Sequence, residues 1–136
     1  MRTTILIALA LLALPGCGQS RSPESSPPPA TLGLQQVVDM TGGLYVEGSL
    51  GYVRLEDADG AKVFEEQLDP DKPTLTREVP AGDYVLRSWQ RPCEGNCNYL
   101  DPPTDECQSA LALPSGDHVR AKITLRPGHG CRIDVA

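Results

Sequence analysis

The polar and apolar positions of the chain alternate with a period of two. In "DHVRAKITLRP" (residues 117–127), Val119, Ala121, Ile123 and Leu125 interleave with Arg120, Lys122, Thr124 and Arg126. Successive side chains of a strand point to opposite faces, so this run predicts a strand with one row in a core and one in water. "YVRLE" (52–56) repeats the pattern with Val53 and Leu55 inward. "DADG" (57–60) then predicts a hairpin turn in which Gly60 takes a positive φ, and "AKVFEEQL" (61–68) returns beside it. "PTLTREV" (73–79) predicts another strand, "PAGD" (80–83) a turn at Gly82, and "YVLRSWQ" (84–90) the next strand. "SALAL" (109–113), "PSGD" (114–117) and the Val119 strand make a further hairpin, and "CRIDV" (131–135) closes the chain. No window carries a helical period. Short strands divided by turns at this spacing predict an all-β fold, a single antiparallel β-sandwich over residues 34–136.

Composition sharpens this picture. Only six residues are aromatic: Tyr45, Tyr52, Phe64, Tyr84, Trp89 and Tyr99. The core must therefore be built mainly from Val, Leu and Ile. A domain of about one hundred residues buries a modest share of its surface, so crosslinks matter to its stability.

The N-terminus is of another kind. Arg2 precedes ten unbroken apolar residues, Ile5 to Leu14. A spanning helix needs about 20 such residues; this run has the length of a signal-peptide hydrophobic region. "LPGC" follows, and Leu14, Gly16 and Cys17 resemble the lipobox of bacterial lipoproteins. That resemblance implies cleavage after residue 16, acylation of Cys17 with palmitate-type chains, and a location on the extracytoplasmic face of the cell membrane. Several acyl chains are needed for stable anchoring. Residues 18–33, "GQSRSPESSPPPATLG", hold almost no large apolar side chain and predict a disordered tether after Cys17, semi-rigid at Pro27-Pro28-Pro29. The expected organisation is a signal peptide at 1–16, lipidated Cys and linker at 17–33, and sandwich at 34–136.

Five cysteines occur. With Cys17 acylated, Cys93, Cys97, Cys107 and Cys131 remain, an even set that predicts two disulfides in an exported chain. Three pairings are open. The expected one is Cys97–Cys107, closing the acidic loop, with Cys93–Cys131 tying its base to the last strand. The intervals of three, nine and twenty-three residues do not fit the close pairs of a structural zinc site or a C-x-x-C redox motif. Calcium is the stronger rival, because Glu94, Asp101, Asp105, Glu106, Asn96 and Asn98 offer hard oxygens, although their spacing matches no calcium loop. No metal or cofactor is expected.

"DGAKVFEEQL…REVPAGDYVLRSW" resembles prealbumin-like sandwich domains, among them carboxypeptidase regulatory-like domains and the B-type repeats of collagen adhesins. The matching positions are Asp59, Gly60, Pro80, Gly82 and Tyr84. With its cysteine loop and "GHGCRI" the chain also resembles small lipoproteins of high-GC bacteria. It lacks the adhesin repeats' isopeptide pattern, having no Lys in 34–61 and no Asn in the last strand.

Catalytic groupings are scarce. Ser115, Asp117 and His118 are sequence neighbours on a turn and do not converge as a triad must. Cysteines in disulfides supply no thiolate. No catalytic residue is expected, and the chain is read as a non-enzyme. Removal of residues 1–16 takes away Arg2 alone and moves the formal charge from −6 to −7, which argues against nucleic acid. Arg87, Trp89 and Arg91 share one face of a strand. Trp89 is expected to pack beneath the cysteine loop while the arginines meet carboxylates; the other possibility is a stripe that binds an anionic or aromatic partner through cation–π contact. The expectation is a non-catalytic binding or envelope-associated module using loop 91–107, with Arg87, Trp89, Arg91, Asp101, Asp105 and Glu106 as contact candidates and an unidentified protein or cell-envelope ligand as partner. The alternative is a calcium-binding or hydrolytic cell-surface protein.

Overall fold

The computed structural model of the chain describes residues 26–41, 48–93 and 96–136. The apolar run at 5–14, Cys17, Tyr45 and Glu94 lie outside the described residues. Among the described residues eight strands form: β1 (Ala30–Val38), β2 (Ser49–Asp57), β3 (Lys62–Leu68), β4 (Thr74–Val79), β5 (Gly82–Pro92), β6 (Thr104–Leu113), β7 (His118–Arg126) and β8 (Gly130–Val135). They make two four-stranded sheets, ordered β4-β1-β7-β8 and β3-β2-β5-β6, packed as a sandwich. The all-β class follows from the alternation already described. Val53 and Leu55 on β2 and Ile123 on β7 are fully buried, as are Leu32 on β1 and Leu86 on β5.

Two expectations about the frame need correction, the linker boundary and the disulfide pairing, and the topology adds a further point. β1 opens at Ala30, inside the stretch assigned to the linker, and Ala30 and Leu32 are completely buried. Ser115 Oγ donates to the Pro28 carbonyl at 2.9 Å, so the chain is held before the strand begins. The alternation Ala30-Leu32-Leu34-Gln36 faces the core, and the preceding prolines had masked it. Second, the antiparallel sandwich contains one parallel pair: β1 runs parallel to β7 from Thr31↔His118 to Val38↔Leu125. A parallel neighbour requires a long crossover, and here every element from β2 to β6 lies between the two strands. Third, the disulfides are Cys93–Cys97 and Cys107–Cys131. The expected pairing fails because Cys107 sits on an inner position of β6, opposite Ser88, and faces β8 in the other sheet. Its Cα lies 5.4 Å from that of Cys131, normal disulfide spacing. Cys93 follows β5 and is fully buried, its amide donating to the Gly48 carbonyl at 2.6 Å, and it bonds to its local neighbour Cys97.

The Pro80-x-Gly82-x-Tyr84 motif has a physical role. Tyr84 Oη donates to the Pro80 carbonyl at 2.7 Å across the crossing from β4 to β5. The ring folds over Gly82, where a Cβ would touch its edge at 3.4 Å. This is the arrangement of a tyrosine corner, which locks a strand crossing between sheets. Burial, with the Asp57 charge as a second cause, raises the Tyr84 pKa. Folding therefore favours the neutral phenol: that contribution is intact below the ordinary tyrosine value and is lost as pH rises through the raised one.

In the chain-entropy model the Cys107–Cys131 link, 24 residues apart, stabilises by about 3 to 4 kcal/mol, and Cys93–Cys97, only 4 apart, by about 2 kcal/mol. Denaturant unfolding of the two double-alanine variants is expected to place Cys107→Ala/Cys131→Ala lower. Tyr84→Phe should cost about 1 to 2 kcal/mol, since the Pro80 carbonyl loses its donor.

Candidate functional site

Alternation on β5 sends Tyr84, Leu86, Ser88 and Gln90 inward and Arg87, Trp89 and Arg91 outward. Trp89 therefore points away from the core. It lies half-buried on the outer face of its sheet and stacks on Tyr52, its cross-strand partner, with centroids 5.7 Å apart and planes within 7°. The Arg54 guanidinium stands 5.3 Å from the Trp89 ring centroid, a cation–π contact. Outward Tyr52, Arg54 and Glu56 on β2 were legible in "YVRLE", but only strand pairing places them beside β5.

Ion pairs order this face. Glu56, on the outer side of β2, accepts from Arg87 Nε at 2.8 Å and from Arg54 at 3.5 Å. Arg54 also bonds Glu65 of β3 at 2.6 Å. The Arg87 hydrogen bond is the main reason the Glu56 carboxyl stays below its ordinary pKa, opposed by desolvation and helped by Arg54. The expected meeting of arginines with carboxylates is thus observed at Arg87. Arg91 is held differently: its guanidinium donates to the Leu100 and Asp101 carbonyls at 3.0 and 2.9 Å, and among the described residues it makes no ion pair. It is therefore fixed in position on the same outer face as Trp89.

These two bonds also pin the cysteine loop to the sheet. The loop is further closed by Asp101 N to Pro92 O at 2.9 Å and Tyr99 N to Asn96 O at 3.1 Å. Tyr99 stands 80% exposed on it, an aromatic that the sequence reading passed over. Below the loop, Arg87, Trp89, Arg91 and Glu106 line one open concavity of about 720 Å³, with Arg54 and Pro103 on its walls.

The other two candidates part from this group. Asp101 contributes its backbone carbonyl to Arg91 rather than its carboxylate. Asp105 turns inward: its carboxylate accepts from Gly130 N at 2.8 Å and Gly128 N at 3.2 Å, bracing the β7–β8 turn of the opposite sheet. Its φ of 49° sits where the β5–β6 register slips between Ser88 and Gln90. Asp has a short side chain that tolerates this left-handed conformation. Among the described residues no three His, Cys, Asp or Glu side chains converge as metal ligands. His118 opens β7, His129 lies in the turn that follows it, and Ser115 is committed to the Pro28 carbonyl.

The Glu56 pair gives a pH signature. A lowered folded pKa contributes stability above the unfolded glutamate value and loses it as pH falls through the folded value. Unfolding midpoints measured against pH should show Glu56→Gln less stable than wild type at neutral pH, with the gap closing in acid. A search against protein-family models and a search of the curated proteins both found no match, so the reading of this surface rests on its own residues.

Proposed function

We propose that the chain is an extracytoplasmic lipoprotein, held at the cell membrane through acylated Cys17, whose sandwich is a non-catalytic binding module. Its contact surface is the outer face of β2, β5 and β6, rimmed by the cysteine loop. The observation that carries this reading is Arg91: a guanidinium fixed by two neutral carbonyls beside a stacked Trp89–Tyr52 pair. Tryptophan, tyrosine and arginine on a rigid face are the residue types that dominate binding energy. A fixed cation loses little entropy on meeting an anionic or hydroxyl-rich ligand, and loops braced on rigid scaffolds commonly carry recognition. The surface suits an acidic or glycan component of the cell envelope, or a protein presenting one.

Kinship with prealbumin-like and carboxypeptidase regulatory-like domains belongs to the same proposal. It is supported by the corner at Pro80, Gly82 and Tyr84, which gives the motif a structural cause. Export is supported by the two crosslinks, which use all four cysteines other than Cys17.

Two experiments test the proposal. Expressed with its leader, the wild-type chain should sediment with membranes and Cys17→Ser should move to the soluble fraction; equal sedimentation would refute the anchor. In pull-downs of purified cell envelopes by the soluble domain, Trp89→Ala/Arg91→Ala should weaken capture by about thirtyfold, the scale of one hot-spot residue, with the melting transition retained. Unchanged capture would remove this face as the contact surface.

A further inference from the structure

A second cavity, of about 650 Å³, opens between the sheets at the end of the sandwich that carries the cysteine loop. The inner rows of the strands change character toward it. On β1 the row runs Ala30, Leu32, Leu34, Gln36; on β5 it runs Tyr84, Leu86, Ser88, Gln90; on β2 it runs Leu55, Val53, Gly51. An apolar core thus gives way to two primary amides contributed by opposing sheets. Gln36 is 8% exposed and Gln90 5% exposed, and both line the cavity. Among the described residues, neither Nε2 has a hydrogen-bond partner. Each such buried donor costs about 1 to 3 kcal/mol, so the pair has a price that packing alone does not explain.

Gly51 shows that the amides have reserved space. A Cβ at this inner position would lie 2.7 Å from Gln36 Oε1 and 3.1 Å from Gln90 Nε2. A side chain there would press on both amides at the flexible ends of their side chains. The backbone lies within an ordinary β-ladder between Leu68 and Gln90, so what glycine offers here is room rather than conformation.

The walls define what fits. Val38, Leu50, Leu68 and Leu125 are apolar, and Pro70, Pro73, Pro92 and Pro127 add rigid rings. Among the described residues no Lys, Arg or His lines the cavity, and of the two carboxylates that do, Asp105 is already satisfied by Gly128 and Gly130. A free carboxylate or phosphate would find no counter-charge. We infer that this cavity is a binding site for a small neutral molecule with an apolar body and an acceptor head, a carbonyl or carboxamide, which the Gln36 and Gln90 amides hold. Its volume lies in the usual range for small-molecule sites. The site is separate from the Trp89 face and stands or falls independently of it.

Benzamide is a suitable probe, with toluene (no polar head) and benzoate (charged head) as comparisons. Titrated into the ¹⁵N-labelled soluble domain, benzamide should bind with a Kd of about 1 mM, a normal value for a fragment of this size. The side-chain NH₂ resonances of Gln36 and Gln90 should move most. Benzamide should bind at least about tenfold more tightly than toluene or benzoate, the worth of one good hydrogen bond. Gln90→Met keeps the volume and supplies no donor; it should erase the preference for benzamide over toluene while toluene still binds. Gly51→Ala should abolish binding of all three, with Gln90→Met serving as the folded reference if Gly51→Ala is unstable. Absence of saturable benzamide shifts in wild type, equal affinity for benzamide and toluene, or shifts that leave both glutamine side chains unmoved would each overturn the inference.

Discussion

A sandwich of two short sheets has two open flanks, and each must be closed if a core of leucine and valine is to stay dry. On one flank the closure is covalent. Cys107 on β6 and Cys131 on β8 are inner residues of edge strands in different sheets, and their bond joins the sheets directly. On the other flank the edge strands are β3 and β4. Glu66 and Arg77 point inward from them and meet in a two-pronged pair, with both hydrogen bonds at 2.6 Å. Inward-pointing charge on an edge strand also discourages pairing with another chain. The fully buried side chains, from Leu32 to Ile123, lie between these closures.

Strands with strict alternation were readable from the sequence because nothing competed with the period of two. β7 is the clearest case: its inner row of Val119, Ala121, Ile123 and Leu125 holds without exception. β1 was not readable, since its inner row ends in glutamine and its start follows a proline run that on composition alone looks disordered. The parallel pairing of β1 with β7 is a property of chain path, which no local pattern carries. The disulfide pairing was missed for a related reason. The expected pairing rested on Cys93 following one strand and Cys131 lying in another, whereas pleat parity turns Cys107 across the sandwich.

The candidate surface was half legible. The shared parity of Arg87, Trp89 and Arg91 is local and could be read directly. Their companions Tyr52, Arg54, Glu56 and Glu65 come from neighbouring strands and depend on register: Tyr52↔Trp89, Arg54↔Arg87 and Arg54↔Glu65. Trp89 was expected to find its cover in the cysteine loop. Tyr52 and Arg54 instead cover part of that ring on the outside, so an aromatic residue can be sheltered without entering the core. Asp105 marks the converse case, a carboxylate that looks like surface chemistry in the sequence and serves as a brace between the two sheets.

The place where β1 begins has a mechanical consequence. The chain enters the fold at Ala30, beside Val79 and His118, while the cysteine loop leaves β5 at the opposite end of the sandwich. A pull between the N-terminus and that loop runs along the axis of β1. This strand is interior to its sheet, paired with β4 on one side and with β7 on the other. Its ladders would be loaded together in shear and would have to rupture in concert, whereas an edge strand unzips bond by bond. For a domain fastened by its N-terminus, lifetime under tension is set by the rate of that concerted rupture.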